Sequence, residues 1–231
     1  MCRTVGNRTD AMCFSPEADL IGGLVVGGVG VDALRHVRHR REVAIAALPV
    51  LFGVHQMIEA LVWWGLDDVV PASLGNAAAW VYLVIAFALP VVVPLAILSL
   101  EPDTAKRRQI IPFIALGAAV TIVLFVDLFS GPVTAHIVAR TIEYDVHLSY
   151  GGQITALYVI ATCVPLLLSR NLRIRVFGIL NLIAVIVLAW LMATRVVSLW
   201  CAWAAVTSIV IVIHLRTDKR TGRPVAITVG P

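Results

Sequence analysis

Apolar residues run along this chain in blocks too long for any soluble helix, broken at regular intervals by short polar, arginine-rich connections. A helix needs roughly 20 apolar residues to cross a hydrocarbon core about 30 Å thick. Seven stretches meet that length: 17–34, 43–66, 75–100, 109–130, 149–168, 172–193 and 196–215. Backbone groups in lipid must be satisfied within their own segment, and the blocks are too long for barrel strands, so the pattern predicts helices. The expected fold is an all-α membrane protein with seven transmembrane helices. Segment 1–16 precedes the single seven-helix domain at 17–215, and a polar tail follows at 216–231.

One connection departs from the helical pattern. Thr141-Ile-Glu143-Tyr-Asp145-Val-His147-Leu148 alternates polar and apolar residues, which predicts a strand, paired with 133–140 in a small hairpin between helices 4 and 5. Glu143, Asp145 and His147 share one face of such a strand. That face is either plainly solvated or a polar lid over the mouth of the bundle.

Composition agrees with the blocks. The 231 residues are 60% hydrophobic and only 14% charged, against about 25% charged in ordinary soluble domains. The mean hydropathy is +0.93. These values exclude a soluble enzyme, a disordered tail and a nucleic-acid module; the expected partner is the lipid bilayer. The basic residues do not form a nucleic-acid patch, since 14 of the 18 lie in the connections after spans 1, 3, 5 and 7. Positive charge stays cytoplasmic, so the expected topology is N-terminus outside and C-terminus cytoplasmic, in the inner (plasma) membrane. The first span is not a cleaved signal peptide, because its positive cluster follows the apolar run.

Small residues and prolines mark packing. Gly22, Gly23, Gly27, Gly28 and Gly30 crowd span 1, and Gly23-x-x-x-Gly27 predicts a close helix crossing. Pro49, Pro90, Pro94 and Pro165 sit inside spans, where proline kinks a helix. Spans 2 and 6 share a faint likeness: Phe52-Gly53-Val54 with Phe177-Gly178-Ile179, and Gln56 with Asn181.

Candidate chemistry concentrates in span 2. His55, Glu59 and Trp63 are spaced i, i+4, i+8 and lie along one face, with Gln56 beside them. Counting 1.5 Å per residue puts Glu59 about 10 Å and His55 about 16 Å below the outer end of the span. Ionisable groups at that depth normally face the bundle interior or a wet cavity. They can share a proton or ligate a metal; equally, they can fix helix packing. Asp127 is a second carboxylate, near the outer end of span 4, where capping or solvation explains it alone; with His55, Gln56, Glu59 and Trp63 it makes up the candidate ligand or proton site. A transition-metal site would draw on His55, Glu59, His136, His147 and Cys13. No H-e-x-x-h-type ligand spacing announces it, so folding must gather the set.

The cysteines Cys2, Cys13, Cys163 and Cys201 form no framework. A Cys13–Cys201 disulfide is permitted by side, and neither a redox pair nor a c-type haem motif is present. The only lysines, Lys106 and Lys219, are both in connections, so no intramembrane lysine can carry a retinal Schiff base. Nucleotide-binding and serine-hydrolase motifs are also missing. The tryptophans at 63, 64, 80, 200 and 203 gather at span ends as an aromatic belt.

Two motifs resemble a known family. Met12-Cys13-Phe14-Ser15-Pro-Glu-Ala18-Asp19 is similar to the opening signature of an uncharacterised family of bacterial integral membrane proteins, and Phe52-Gly53-x-His55-Gln56-x-x-Glu59-x-x-x-Trp63 is similar to its second-helix motif. The resemblance implies a membrane protein and brings no reaction with it. It also implies a start at the position of Met12, with 1–11 as an extension. Removal of Met12 would then leave Cys13 as an N-terminal amine-thiolate chelating group.

Three functions follow: an outward-facing polar site around His55 and Glu59 that binds a metal ion or small ligand; a proton-coupled transporter of a small solute; or a structural or assembly subunit. N-terminal sequencing of the native protein checks the start, with Cys13 or Met12 expected as the first residue. Intact residues 1–11 would remove the basis for the chelating group.

Overall fold

A computed structural model describes residues 15–138 and 141–191. Six α-helices follow in order: α1 (Pro16–Arg35), α2 (Val43–Leu66), α3 (Ala72–Leu100), α4 (Thr104–Ser130), α5 (Gly151–Leu168) and α6 (Leu172–Leu191). A 3-10 turn at Arg40–Glu42 leads into α2. Strands β1 (Thr134–Val138) and β2 (Thr141–Asp145) pair antiparallel between α4 and α5. The expected first six spans coincide with these helices to within a few residues; the seventh, 196–215, lies outside the described residues.

Four segments are long and apolar enough to cross a membrane: Arg40–Leu66, Ala72–Leu100, Thr104–Ser130 and Gly151–Leu168. α1 has the length, but Glu17, Asp19, Asp32 and Arg35 dilute its apolar run. α6 holds a shorter apolar stretch, Ile174–Val187. Large side chains such as Ile21, Leu24, Ile122, Val126, Phe129 and Ile183 point outward, as a protein with lipid for solvent requires.

Each helix packs on the next, and α3 also touches α5. α1 begins where Ser15 Oγ accepts the amide of Ala18 and Pro16 opens the first turn, an ordinary N-terminal signal. Its buried face is Asp19, Gly23, Val26 and Gly30. A β-carbon at Gly23 would stand 2.7 Å from the Gly53 carbonyl oxygen, and one at Gly30 would stand 2.5 Å from the Val50 amide. The expected Gly23-x-x-x-Gly27 crossing is therefore real, and its partner is Gly53 of α2. Gly65 and Gly75 permit a second such approach between α2 and α3. Gly178 likewise lies close against Leu166 of α5.

Prolines in α3 leave backbone carbonyls without their intrahelical donors. Pro90 deprives Ala86 of its partner, and the Tyr158 hydroxyl of α5 donates to that oxygen at 2.9 Å. The neighbouring Phe87 carbonyl accepts from Thr121 Oγ1 of α4 at 2.9 Å. Pro94 frees the Pro90 carbonyl, and Gly117 of α4 lies directly against it. These contacts fasten the kinked helix to both neighbours.

At the arginine-rich end, buried Glu101 accepts the Arg170 amide, while the Arg170 guanidinium meets Asp103 at 3.0 Å. The Ala105 amide, with the Lys106 amide and Arg170, holds the Asp103 carboxyl below the ordinary carboxylate range. These bonds tie the α3–α4 turn to the α5–α6 turn.

Gly23→Leu is expected to lower the thermal midpoint in detergent by an amount matching overpacking of about 1–3 kcal/mol or more. Gly22→Leu should leave it nearly unchanged, because nothing lies within 4 Å of a β-carbon there. Thr121→Val and Tyr158→Phe should each cost about 1 kcal/mol in the same measurement.

Candidate functional site

The α2 face singled out by its spacing is buried along its whole length. His55 and Glu59 are 0% exposed, Gln56 3% and Trp63 5%. Three elements enclose them. α1 supplies Asp19, whose Oδ2 accepts the Trp63 indole N–H at 2.9 Å. α3 supplies Tyr82, whose ring stacks on His55 with centroids 3.9 Å apart and planes 9° apart. The hairpin supplies Tyr144, stacked on the other side of Tyr82 at 4.8 Å and 13°. The result is a column of three nearly parallel rings from α2 through α3 to β2.

Polar capacity inside this enclosure is unfilled. Neither ring nitrogen of His55 has a hydrogen-bond partner among the described residues, and Gln56 Nε2 has none. A neutral imidazole carries one donor and one acceptor, and an amide nitrogen carries two donors. Buried polar groups in native proteins are almost always paired, so these unfilled atoms set His55 and Gln56 apart from the apolar residues around them.

Asp127 takes a different position. It is 6% exposed and accepts the Ser149 amide at 3.0 Å and the Ser149 hydroxyl at 2.6 Å. It therefore pins the chain entering α5 to the end of α4, in keeping with the simpler capping reading. His136 faces solvent on β1 and lies 3.4 Å from Asp145 across the hairpin. β2 ends at Asp145, three residues earlier than the alternation predicts, so His147 lies beyond the ladder and is exposed. Cys13 lies outside the described residues.

Among the described residues, no group of three or more His, Cys, Asp or Glu side chains is arranged to hold a metal ion. His55 and Glu59 remain one turn apart on α2 and could offer two ligands. A metal there needs the rest of its shell from elsewhere.

The hairpin reverses the sequence emphasis. The polar face with Glu143 and Asp145 turns outward, while the opposite face carries Ile142, 3% exposed, into a cluster with Val62, Trp63, Ala78 and Ala79. Sequence reasoning missed Tyr82, Tyr144 and Asp19 as walls of the site. Tyr82 is one aromatic in an apolar helix and gives no signal. Tyr144 was legible as the apolar phase of the strand, and Asp19 as an acid placed inside an apolar run.

Asp19 and Trp63 come from the two segments singled out in the sequence, 12–19 and 52–63, so those segments meet in space. No curated protein and no solved structure matches this chain. A model described as a family of unknown function, DUF6629, matches residues 12–226, and the chain belongs to that family.

Proposed function

We propose that this is an integral membrane protein that holds a metal ion or small polar ligand in an occluded site formed by α2, α3 and the hairpin, with His55 and Gln56 as its hydrogen-bonding or ligating groups and Glu59 beside them. The supporting observation is the pair of fully buried His55 ring nitrogens with no protein partner among the described residues. Burying such groups in an apolar environment costs several kcal/mol each, and a bound species offsets that cost. The positive-inside pattern supports an outside position for the hairpin end of the bundle, with the site towards that side. A transition metal would be the ion suited to imidazole and carboxylate ligands.

A proton-coupled transporter would use the same His55 and Glu59 and would require α3 to rock about Pro90 and Pro94. The bonds from Thr121 and Tyr158 to the α3 carbonyls favour a fixed α3 over a rocking one. The binding reading is therefore preferred.

Elemental analysis and native mass spectrometry of the purified, detergent-solubilised protein test it, beside His55→Ala prepared identically. A near-stoichiometric metal or small-molecule adduct that His55→Ala loses is expected, with Glu59→Ala losing it as well if the species is a metal. Absence of any adduct from cells grown with adequate metals would sink the binding reading and leave water or packing as the role of these groups.

A further inference from the structure

We propose that the groove between α2 and α3 at the arginine-rich end binds one anionic phospholipid, its phosphate on Arg40 and Arg41 and an acyl chain along the groove. The site is separate from the one around His55 and does not depend on it.

The groove is lined by apolar side chains alone. Leu48 and Ala96 form its buried floor, and Leu95 stands 44% exposed on the α3 side. On the α2 side Ala44 and Ala47 offer nothing beyond a β-carbon, which leaves a depression between the helices. At 1.5 Å per residue the wall from 44 to 51 runs about 10 Å along the helix, enough to take the first stretch of an acyl chain. Hydrocarbon, not water, is the medium that meets such a surface in a bilayer.

Where the groove ends, the chain carries guanidinium groups. The 3-10 turn Arg40–Glu42 runs straight into α2, so Arg41 precedes Ala44 by three residues. Ser99 fastens this turn to the groove: its Oγ lies 2.7 Å from the carbonyl oxygen of Ala96 and 3.1 Å from that of Arg41. Arg107 of α4 reaches the same end of α3, where its guanidinium donates to the Leu98 carbonyl at 2.8 Å.

No described acid neutralises the turn. Glu42 is folded back on the amides of Arg38 and His39, at 3.1 and 3.4 Å, and so shapes the turn rather than pairing with its arginines. Both acids of the α3–α4 turn go to Arg170, Glu101 to its amide and Asp103 to its guanidinium. Arg40 and Arg41 are exposed and form no ion pair with a described residue.

The occupant has to match both halves. A partner helix would fill the groove and leave the guanidinium groups without a counter-charge; a free phosphate would do the opposite. A phosphate at the membrane boundary joined to a hydrocarbon tail satisfies both. Guanidinium binds phosphate through paired N–H bonds, and each basic group beside an anionic membrane surface is worth about fivefold in affinity. The positive-inside pattern supports a cytoplasmic position for this end, in the leaflet that carries anionic lipid.

Native mass spectrometry of the full-length protein from detergent measures the choice of head group, with phosphatidylglycerol and phosphatidylcholine of identical chains supplied in equal amounts. The unaltered protein is expected to retain the anionic lipid at least tenfold over the zwitterionic one. Arg40→Gln with Arg41→Gln should cut that preference at least fivefold. Arg108→Gln with Arg175→Gln removes the same charge from exposed positions at the same end and should change it less than twofold. Ala47→Phe fills the groove, keeps both arginines, and should lower retention of the anionic lipid at least fivefold. Glycerol 3-phosphate, a head group without chains, should fail to displace the lipid from the unaltered protein at hundredfold excess, an arm that stands even where Ala47→Phe does not fold. Equal retention of the two lipids, or equal losses from the two arginine pairs, would overturn the site in favour of diffuse charge. Displacement by glycerol 3-phosphate would overturn the acyl-chain half. A dimer abolished by Ala47→Phe, with lipid retention unchanged, would give the groove to a second copy and overturn the proposal as well.

Discussion

A polar group inside a membrane must find its partner within the protein, and most of this structure follows from that requirement. Pro90 in α3 leaves the Ala86 carbonyl without its intrahelical donor, and the Tyr158 hydroxyl answers it from α5, while the Thr121 hydroxyl of α4 reaches the neighbouring Phe87 carbonyl. Asp19 lies within α1 and meets the Trp63 indole of α2. Glu101 is buried at the arginine-rich end and takes the Arg170 amide. Each of these bonds joins two helices or two of the turns between them, so the demand for satisfaction doubles as a map of the bundle. Against that background the two His55 nitrogens, with Gln56 Nε2 beside them and Glu101 Oε1 at the arginine-rich end, are buried without a hydrogen-bond partner among the described residues.

Close approach is what makes such short bonds reachable. Gly23, Gly27 and Gly53 remove the side chains that would separate α1 from α2, and Gly65 with Gly75 does the same for α2 and α3. Lipid offers no hydrophobic force between helices, so packing of this kind carries the association. It also sets the register in which Asp19 comes level with Trp63. The site is thus a consequence of glycines about one turn or less from its members, Gly23 beside Asp19 and Gly53 beside His55, as much as of its own residues.

The ring column adds a second principle. His55, Tyr82 and Tyr144 come from α2, α3 and β2, and the three rings stack across these elements. Aromatic stacking of this geometry is modest in energy and specific in orientation. It couples an element that sits deep in the bundle to one that sits at the water interface.

Much of the architecture was written in local pattern. Lengths of apolar blocks set the helices because one bilayer thickness fixes one helix length, and all six described helices follow the hydropathy of their own residues. The His55-Gln56-Glu59-Trp63 face was legible because helical geometry relates neighbours one turn apart without reference to anything else. The strand pattern at 141–148 was legible for the same reason, although its length was overestimated: ladder pairing ends at Asp145, where β1 runs out of residues opposite it. What touches that face could not be read in this way. Tyr82 lies 27 residues from His55 and Tyr144 a further 62 along, and only the crossing of α2 over α3 and the seating of the hairpin bring them into one column. Asp127 likewise looked like a member of the site and became a clamp on Ser149, because the end of α4 faces the start of α5. Periodicity decides which residues share a surface; packing between distant segments decides what that surface meets.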